Sequence, residues 1–168
     1  MKKYFLALSI FLTSQVAHAS SEGNVIELMD QADIEGNVVE LMIVGSHNAL
    51  QISQELTGGA LSGNVMDISI EGDYNGGPLG ASFSGPLASS GLVPGQLTQI
   101  GANNRMSIDV NGSHNLFAFL QNGTNNAIEA TIEGTGNQAA VQQYGNNNHV
   151  SMSQVGTGNM IAISQRSF

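Results

Sequence analysis

The chain has 168 residues, a formal net charge of -9, only 10% charged residues, no Cys and no Trp. That balance argues against nucleic acid or anionic lipid as the main partner. The lack of Cys excludes a disulfide framework, a thiolate zinc site and a Cys nucleophile.

Residues 1–19 read as a secretory signal peptide. Met1-Lys2-Lys3 is a short positive start, Tyr4 to Val16 is mostly apolar, and Ala17-His18-Ala19 is a small-x-small cleavage site. The apolar run is short for a membrane span. Cleavage is expected between Ala19 and Ser20, giving a product released outside the cell. Both lysines leave with the signal, so Arg105 and Arg166 are the strong bases that remain.

Residues 20–75 form a looser, acidic repeat block. Asn24, Asn37, Asn48, Asn64 and Asn75 mark turns. The inward series between them reads Ile26, Leu28; Val39, Leu41, Ile43; Leu50, Ile52, Gln54; and Met66, Ile68, Ile70. Ten of the 13 acids lie between Glu22 and Asp73, which sets this block apart electrostatically from the C-terminal half. Residues 76–98 hold all three prolines in a Gly/Pro/Ser-rich stretch. This stretch reads as a long loop or a linker between two blocks, with an extra strand pair near Leu79 to Leu87 as the alternative.

Residues 99–168 are the regular block. Gly-x-x-Asn recurs as Gly101 to Asn104, Gly112 to Asn115, Gly123 to Asn126, Gly134 to Asn137, Gly145 to Asn148 and Gly156 to Asn159, every 11 residues. Between turns the chain alternates with period two. Met106, Ile108 and Val110, then Ile128, Ala130 and Ile132, then Val150 and Met152 face one way, with polar residues between them. Such alternation marks a half-buried strand, and Gly and Asn at the junctions are expected to supply the positive φ angles of tight turns. Gly in every junction and segments too short for helices exclude a helical reading.

Two 11-residue units make a 22-residue rung, so residues 22 apart stack. The fold expected is all-β, a β-solenoid of strand-turn-strand rungs with a cross-β interior. One column holds Phe117, Ala139 and Ile161, the next Phe119, Val141 and Ile163. Gln121, Gln143 and Gln165 fall on the same inward side. Buried amides are costly unless bonded, and stacking lets each bond the next along the axis. Gln142, one residue away, should face solvent and tolerate a charge.

These residues resemble a known family. Gln-x-Gly-x-x-Asn with a following Gln is similar to the repeat of curlins, subunits of the curli amyloid fibre of bacterial surfaces. It occurs from Gln99, Gln121, Gln143 and Gln154, ending at Gln165. The Gly-x-x-Asn at both turns of a rung is more similar to the minor, nucleator-type subunit than to the major one. The acidic first block, which carries the equivalent Gln54 but few others, departs from that pattern. The resemblance implies a secreted structural subunit that polymerises with itself and with another curlin-type subunit. It further implies export through outer-membrane secretion and assembly machinery, and fibres that support adhesion and biofilm matrix.

The residues suggest no catalytic site, metal site, cofactor or small-molecule substrate. His47 and His114 sit in Gly-Ser-His-Asn turns without a second ligand at metal spacing. Asp73-Tyr-Asn75-Gly76 lacks the spaced carboxylates of a calcium loop. The rival class is a monomeric β-solenoid binding module such as a surface adhesin, which would need polar caps.

Overall fold

The computed structural model describes residues 6–11, 23–30, 36–57 and 62–167, with backbone alone for Leu6–Phe11. Ala19 and Ser20, the expected cleavage site, lie outside the described residues. The strands are β1 (Leu6–Phe11), β2 (Val25–Asp30), β3 (Val38–Val44), β4 (Ala49–Leu56), β5 (Val65–Glu71), β6 (Gln96–Ala102), β7 (Arg105–Ser113), β8 (Leu116–Thr124), β9 (Ala127–Thr135), β10 (Gln138–Asn146), β11 (His149–Thr157) and β12 (Met160–Arg166).

Successive strands alternate between two six-stranded sheets. One has the order β1-β3-β5-β7-β9-β11, here called sheet A; the other has the order β2-β4-β6-β8-β10-β12, sheet B. From β2 onward every pairing is parallel and in register. This is a β-solenoid with two strands to a rung. Only β1 runs antiparallel, against β3, and it lies within the segment read as signal peptide.

Period two explains the interior. Alternate side chains of both sheets point inward, and one continuous core runs from Ile26 to Met152 through Val39, Ile52, Ile68, Leu97, Ile108, Val110, Phe119, Ile132, Val141 and Val150. Met106, Phe117 and Ile128 are fully buried. Ile161 and Ile163 of β12 pack on this core only in part, because no strand lies above them. Each apolar side chain of this size removed from water stabilises by about 1.5–3 kcal/mol.

Residues 76–98 do not separate the two repeat blocks. β4 pairs directly with β6, and β5 with β7. Gly76 bridges Ala49 below and Leu116 above, and the Gly95 N–H donates to the Phe117 carbonyl at 2.8 Å. The chain therefore leaves sheet B within a single rung, between Gly76 and Gly95, and returns to the same rung. The two crossings need glycine: a Cβ on Gly77 would sit 1.9 Å from the Pro94 carbonyl oxygen.

The excursion folds back as a flap on the outer face of sheet B. Its 3-10 turn, Gly85–Ser89, brings Leu87 together with Phe83 onto Ala118 and Ala140. The Ser84 N–H donates to Gln138 Oε1 at 2.8 Å, Gln138 Nε2 donates to Ser84 Oγ at 2.7 Å, and Gln142 Nε2 donates to the Ser90 carbonyl at 2.6 Å. Gln142 is thus held against the flap rather than left to solvent as the alternation alone suggested. Truncating Leu87 to Ala should cost about 2–3 kcal/mol of flap docking. We expect limited proteolysis to cut the Leu87→Ala chain within residues 77–94 while its far-ultraviolet spectrum is retained. Equal protease resistance of variant and parent would mean that the flap is not held by this contact.

Candidate assembly surfaces and the amide columns

Polar columns run along the inside of the turns. Asn104, Asn126 and Asn148 form one and Asn115, Asn137 and Asn159 the other. Asn126 shows the logic. Its backbone N–H and Nδ2 both donate to Asn104 Oδ1 at 3.0 Å, and Nδ2 also donates to the Gly145 carbonyl at 2.8 Å. Its own Oδ1 accepts from the N–H and Nδ2 of Asn148, both at 3.0 Å. Both donors and both lone pairs of the buried amide are used, so its desolvation is offset only when a rung lies on each side. The first block joins the same columns: Asn64 Oδ1 accepts from the Asn104 N–H at 3.1 Å, and Asn75 Oδ1 from the Asn115 N–H at 3.1 Å.

The turn chemistry differs from the sequence expectation in one respect. Positive φ falls on the first residue of each Gly-x-x-Asn, such as Gly112 at 132°, and on the third, such as His114 at 60° and Asn125 at 60°. The motif asparagines are not among the positive-φ residues. They turn their side chains inward for the columns, and the left-handed step falls one residue earlier. The glycines at the first position are set by close packing. A Cβ on Gly101 would lie 1.9 Å from the Gly123 carbonyl oxygen, and one on Gly134 would lie 2.0 Å from that of Gly156.

The glutamines form a third column, inside sheet B. Gln54 Nε2 donates to Gln99 Oε1 and Gln99 Nε2 to Gln121 Oε1, each at 2.8 Å. Gln121 Nε2 then donates to Gln143 Oε1 and Gln143 Nε2 to Gln165 Oε1, each at 3.0 Å. The second amide hydrogen of Gln121 goes to the Arg105 carbonyl and that of Gln143 to the Ala127 carbonyl, both at 3.0 Å. The five side chains span both blocks although Gln54 and Gln99 are 45 residues apart. Gln154 does not belong to this column. It tops the facing column in sheet A, above Ile132, with its Oε1 buried and unbonded.

On the outer edge, His47, Tyr74 and His114 stack with ring centroids 4.6 Å and 4.9 Å apart. Asp73 beside them accepts from the Ser46 N–H at 2.7 Å and the Ser46 hydroxyl at 2.8 Å. The Ser46 hydroxyl first, then the Ser46 N–H and the two imidazoles, hold its carboxyl below the ordinary Asp value. A carboxyl depressed on folding contributes stability above its unfolded pKa and loses it as pH falls through the folded one. Asp73→Ala should therefore lower Tm at neutral pH, by the equivalent of about 1 kcal/mol for the lost bonds. The difference from the parent should shrink as pH falls below the ordinary Asp value and through the lowered one. An undiminished difference in acid would show that the ionised carboxylate is not what matters.

Among the described residues no group of three or more His, Cys, Asp or Glu is placed to hold a metal ion, and His149 stands on the exposed face of sheet A. What the arrangement offers instead is unfinished backbone. Among the described residues, β11 and β12 at one end and β2 at the other have a neighbour on one side only, and β3 has only β1 beyond β5. Unpaired edges of this kind are templates for further strands.

A family model, the curlin associated repeat, matches residues 123–156 and again residues 134–166. A search of curated proteins found no match. The matched segments contain Gly123, Gly134, Gly145 and Gly156 and the asparagine and glutamine columns beside them, and the same rungs continue below in unbroken register. The curlin associated repeat thus covers residues 123–166 of the parallel two-sheet solenoid, and this match supports a curli-type structural subunit.

Proposed function

We propose that the chain is a secreted fibre subunit that polymerises by adding rung upon rung, exported through an outer-membrane assembly apparatus and supporting adhesion and biofilm matrix. The observation that carries this reading is the pair of open sheet edges above β11 and β12, reached by amide columns that end without a further rung. A strand laid there gains a full ladder of backbone bonds together with the asparagine bonds that every interior rung already makes. Removal of the leader would also take β1 from β3, opening a second edge at the other end. Co-assembly with another curlin-type subunit is consistent with the same geometry, because the columns ask only for Asn and Gln at fixed positions.

Purified mature chain should pass from soluble to fibrillar on standing, bind thioflavin, and give reflections near ~4.7 and ~10 Å. A chain that stays monomeric at high concentration would instead be the secreted binding module.

A further inference from the structure

We infer that successive copies in the fibre are related by a half-turn about the solenoid axis, so that sheet A of one copy runs on into sheet B of the next. This rests on the fibre reading above. With β1 set aside, the described strands number six in sheet B and five in sheet A. The described strands therefore finish in a step, in which β12 stands one layer higher than β11.

A second copy placed without rotation sets its β2 on β12. Its β3 then lies two layers above β11, and the layer between is empty. A copy turned by half a revolution sets β2 on β11 and β3 on β12 and leaves no gap. The 11-residue half-repeat makes this possible, since both sheets present the same Asn at the same turn position.

The backbone ladder fits the half-turn. In the interior layers the first N–H after the turn Asn donates to the Asn carbonyl of the layer above, as Ala127 to Asn148 at 2.8 Å, Gln138 to Asn159 at 2.7 Å and, in the layer of β6, Gly76 to Asn115 at 2.9 Å. The N–H groups of His149 and Met160 hold this position at the two open edges. The half-turn gives each of them a carbonyl row, that of β2 and that of β3, whereas the unrotated copy serves Met160 alone.

The inward glutamines mark the junction. The sheet A column Ile43, Ile70, Val110 and Ile132 ends in Gln154. By register the half-turn sets Asp30 of the next copy, the partner of Gln54, over Gln154, and Ile43 of its β3 over Gln165. The glutamine column is thus interrupted at each junction, and what the half-turn supplies is the unbroken backbone ladder.

The absence of Cys allows a direct test with paired cysteines on outward positions of the mature chain. Glu27, Glu40, Ser151 and Ala162 are all exposed. Counted from their turn asparagines, Glu27 falls over Ser151 and Glu40 over Ala162 in the half-turn junction, while Glu27 falls over Ala162 in the unrotated one. Fibres are grown from each double variant, treated with a short thiol-bridging reagent and dissolved. We expect a ladder of cross-linked multimers from Glu27→Cys/Ser151→Cys and from Glu40→Cys/Ala162→Cys, and monomer from Glu27→Cys/Ala162→Cys. Cross-linking in the last variant alone, or in none of the three, overturns the half-turn while leaving the fibre reading intact. Failure of the parent chain to form fibres at all counts against the fibre reading instead. Electron microscopy gives an independent measure. Flaps should alternate on opposite sides of the fibre, one copy every ~26 Å at ~4.8 Å per rung; flaps confined to one side would overturn the proposal.

Discussion

Gln143→Glu is expected to delay fibre formation strongly at neutral pH and to recover in part in acid, while Asn122→Glu assembles nearly as the parent does. Gln143 is fully buried. It accepts from Gln121 Nε2 and donates to Gln165 Oε1 and to the Ala127 carbonyl, all at 3.0 Å. A carboxylate keeps the first bond and loses the other two, since it has no hydrogen to give. It then faces two acceptor oxygens in a poorly solvated interior. An unpaired buried charge of this kind costs about 3–5 kcal/mol. Burial and repulsion raise the pKa of the introduced carboxyl, so the penalty holds above the raised value and fades as pH falls through it. Once neutral, the acid has one O–H to donate, which is why recovery is partial.

The control position matters as much as the variant. Gln142 is adjacent and outward, but its amide donates to the Ser90 carbonyl in the flap. A Glu there would disturb the flap as well as add charge. Asn122 is exposed and sits between Ile100 and Tyr144 in the ladder, with no acid beside it. Lag times by thioflavin, measured from about pH 4 to pH 7.5 to span the ordinary and raised carboxyl values, decide the matter. Equal lag times for both variants would show that the glutamine column does not govern assembly.

The contrast between Gln142 and Gln143 marks how far the sequence carries. Strand, turn and face derive from two local periods, 11 and two, and these place Gln121, Gln143, Phe117 and Ile128 without any tertiary knowledge. What the periods do not reach is contact made by unrepeated residues. Phe83 and Leu87 lie among Gly, Ser and Pro with no alternation around them, so nothing local says which surface they cover. The signal lay on the other partner. Ala118 and Ala140 are small apolar residues at outward positions of a repeat, stacked 22 apart, as a covered face would require. The column from Gln54 to Gln99 was hidden for a related reason, because an insertion inside a rung breaks the count while leaving the geometry whole. The offset between positive φ and the motif Asn is a question of backbone conformation, to which side-chain periodicity is blind.

Glycine at two places in the same turn gives the sharpest remaining test, because the two are required for different physical reasons. Gly123 has φ 136°, and a Cβ there would lie 1.9 Å from the Gly145 carbonyl oxygen and 2.7 Å from its carbon. The obstacle is backbone of the next rung, so relief means separating rungs that the asparagine column holds together at Asn104, Asn126 and Asn148. Gly123→Ala should cost about 3 kcal/mol or more, combining left-handed strain with the clash. Gly136 differs. It has φ 68°, and a Cβ there would meet nothing within 4 Å. Asn103, Asn125 and Asn147 hold the same turn position at φ between 55° and 60°. Gly136→Asn should therefore fold with stability within about 0.5 kcal/mol of the parent, or gain slightly through a less flexible unfolded chain. Chemical unfolding of the soluble monomers reads the first difference, and thioflavin lag times read its effect on growth. Should Gly123→Ala prove as harmless as Gly136→Asn, the rungs are not packed backbone to backbone at this turn, and the close stacking from which the columns derive their bonds is wrong with it.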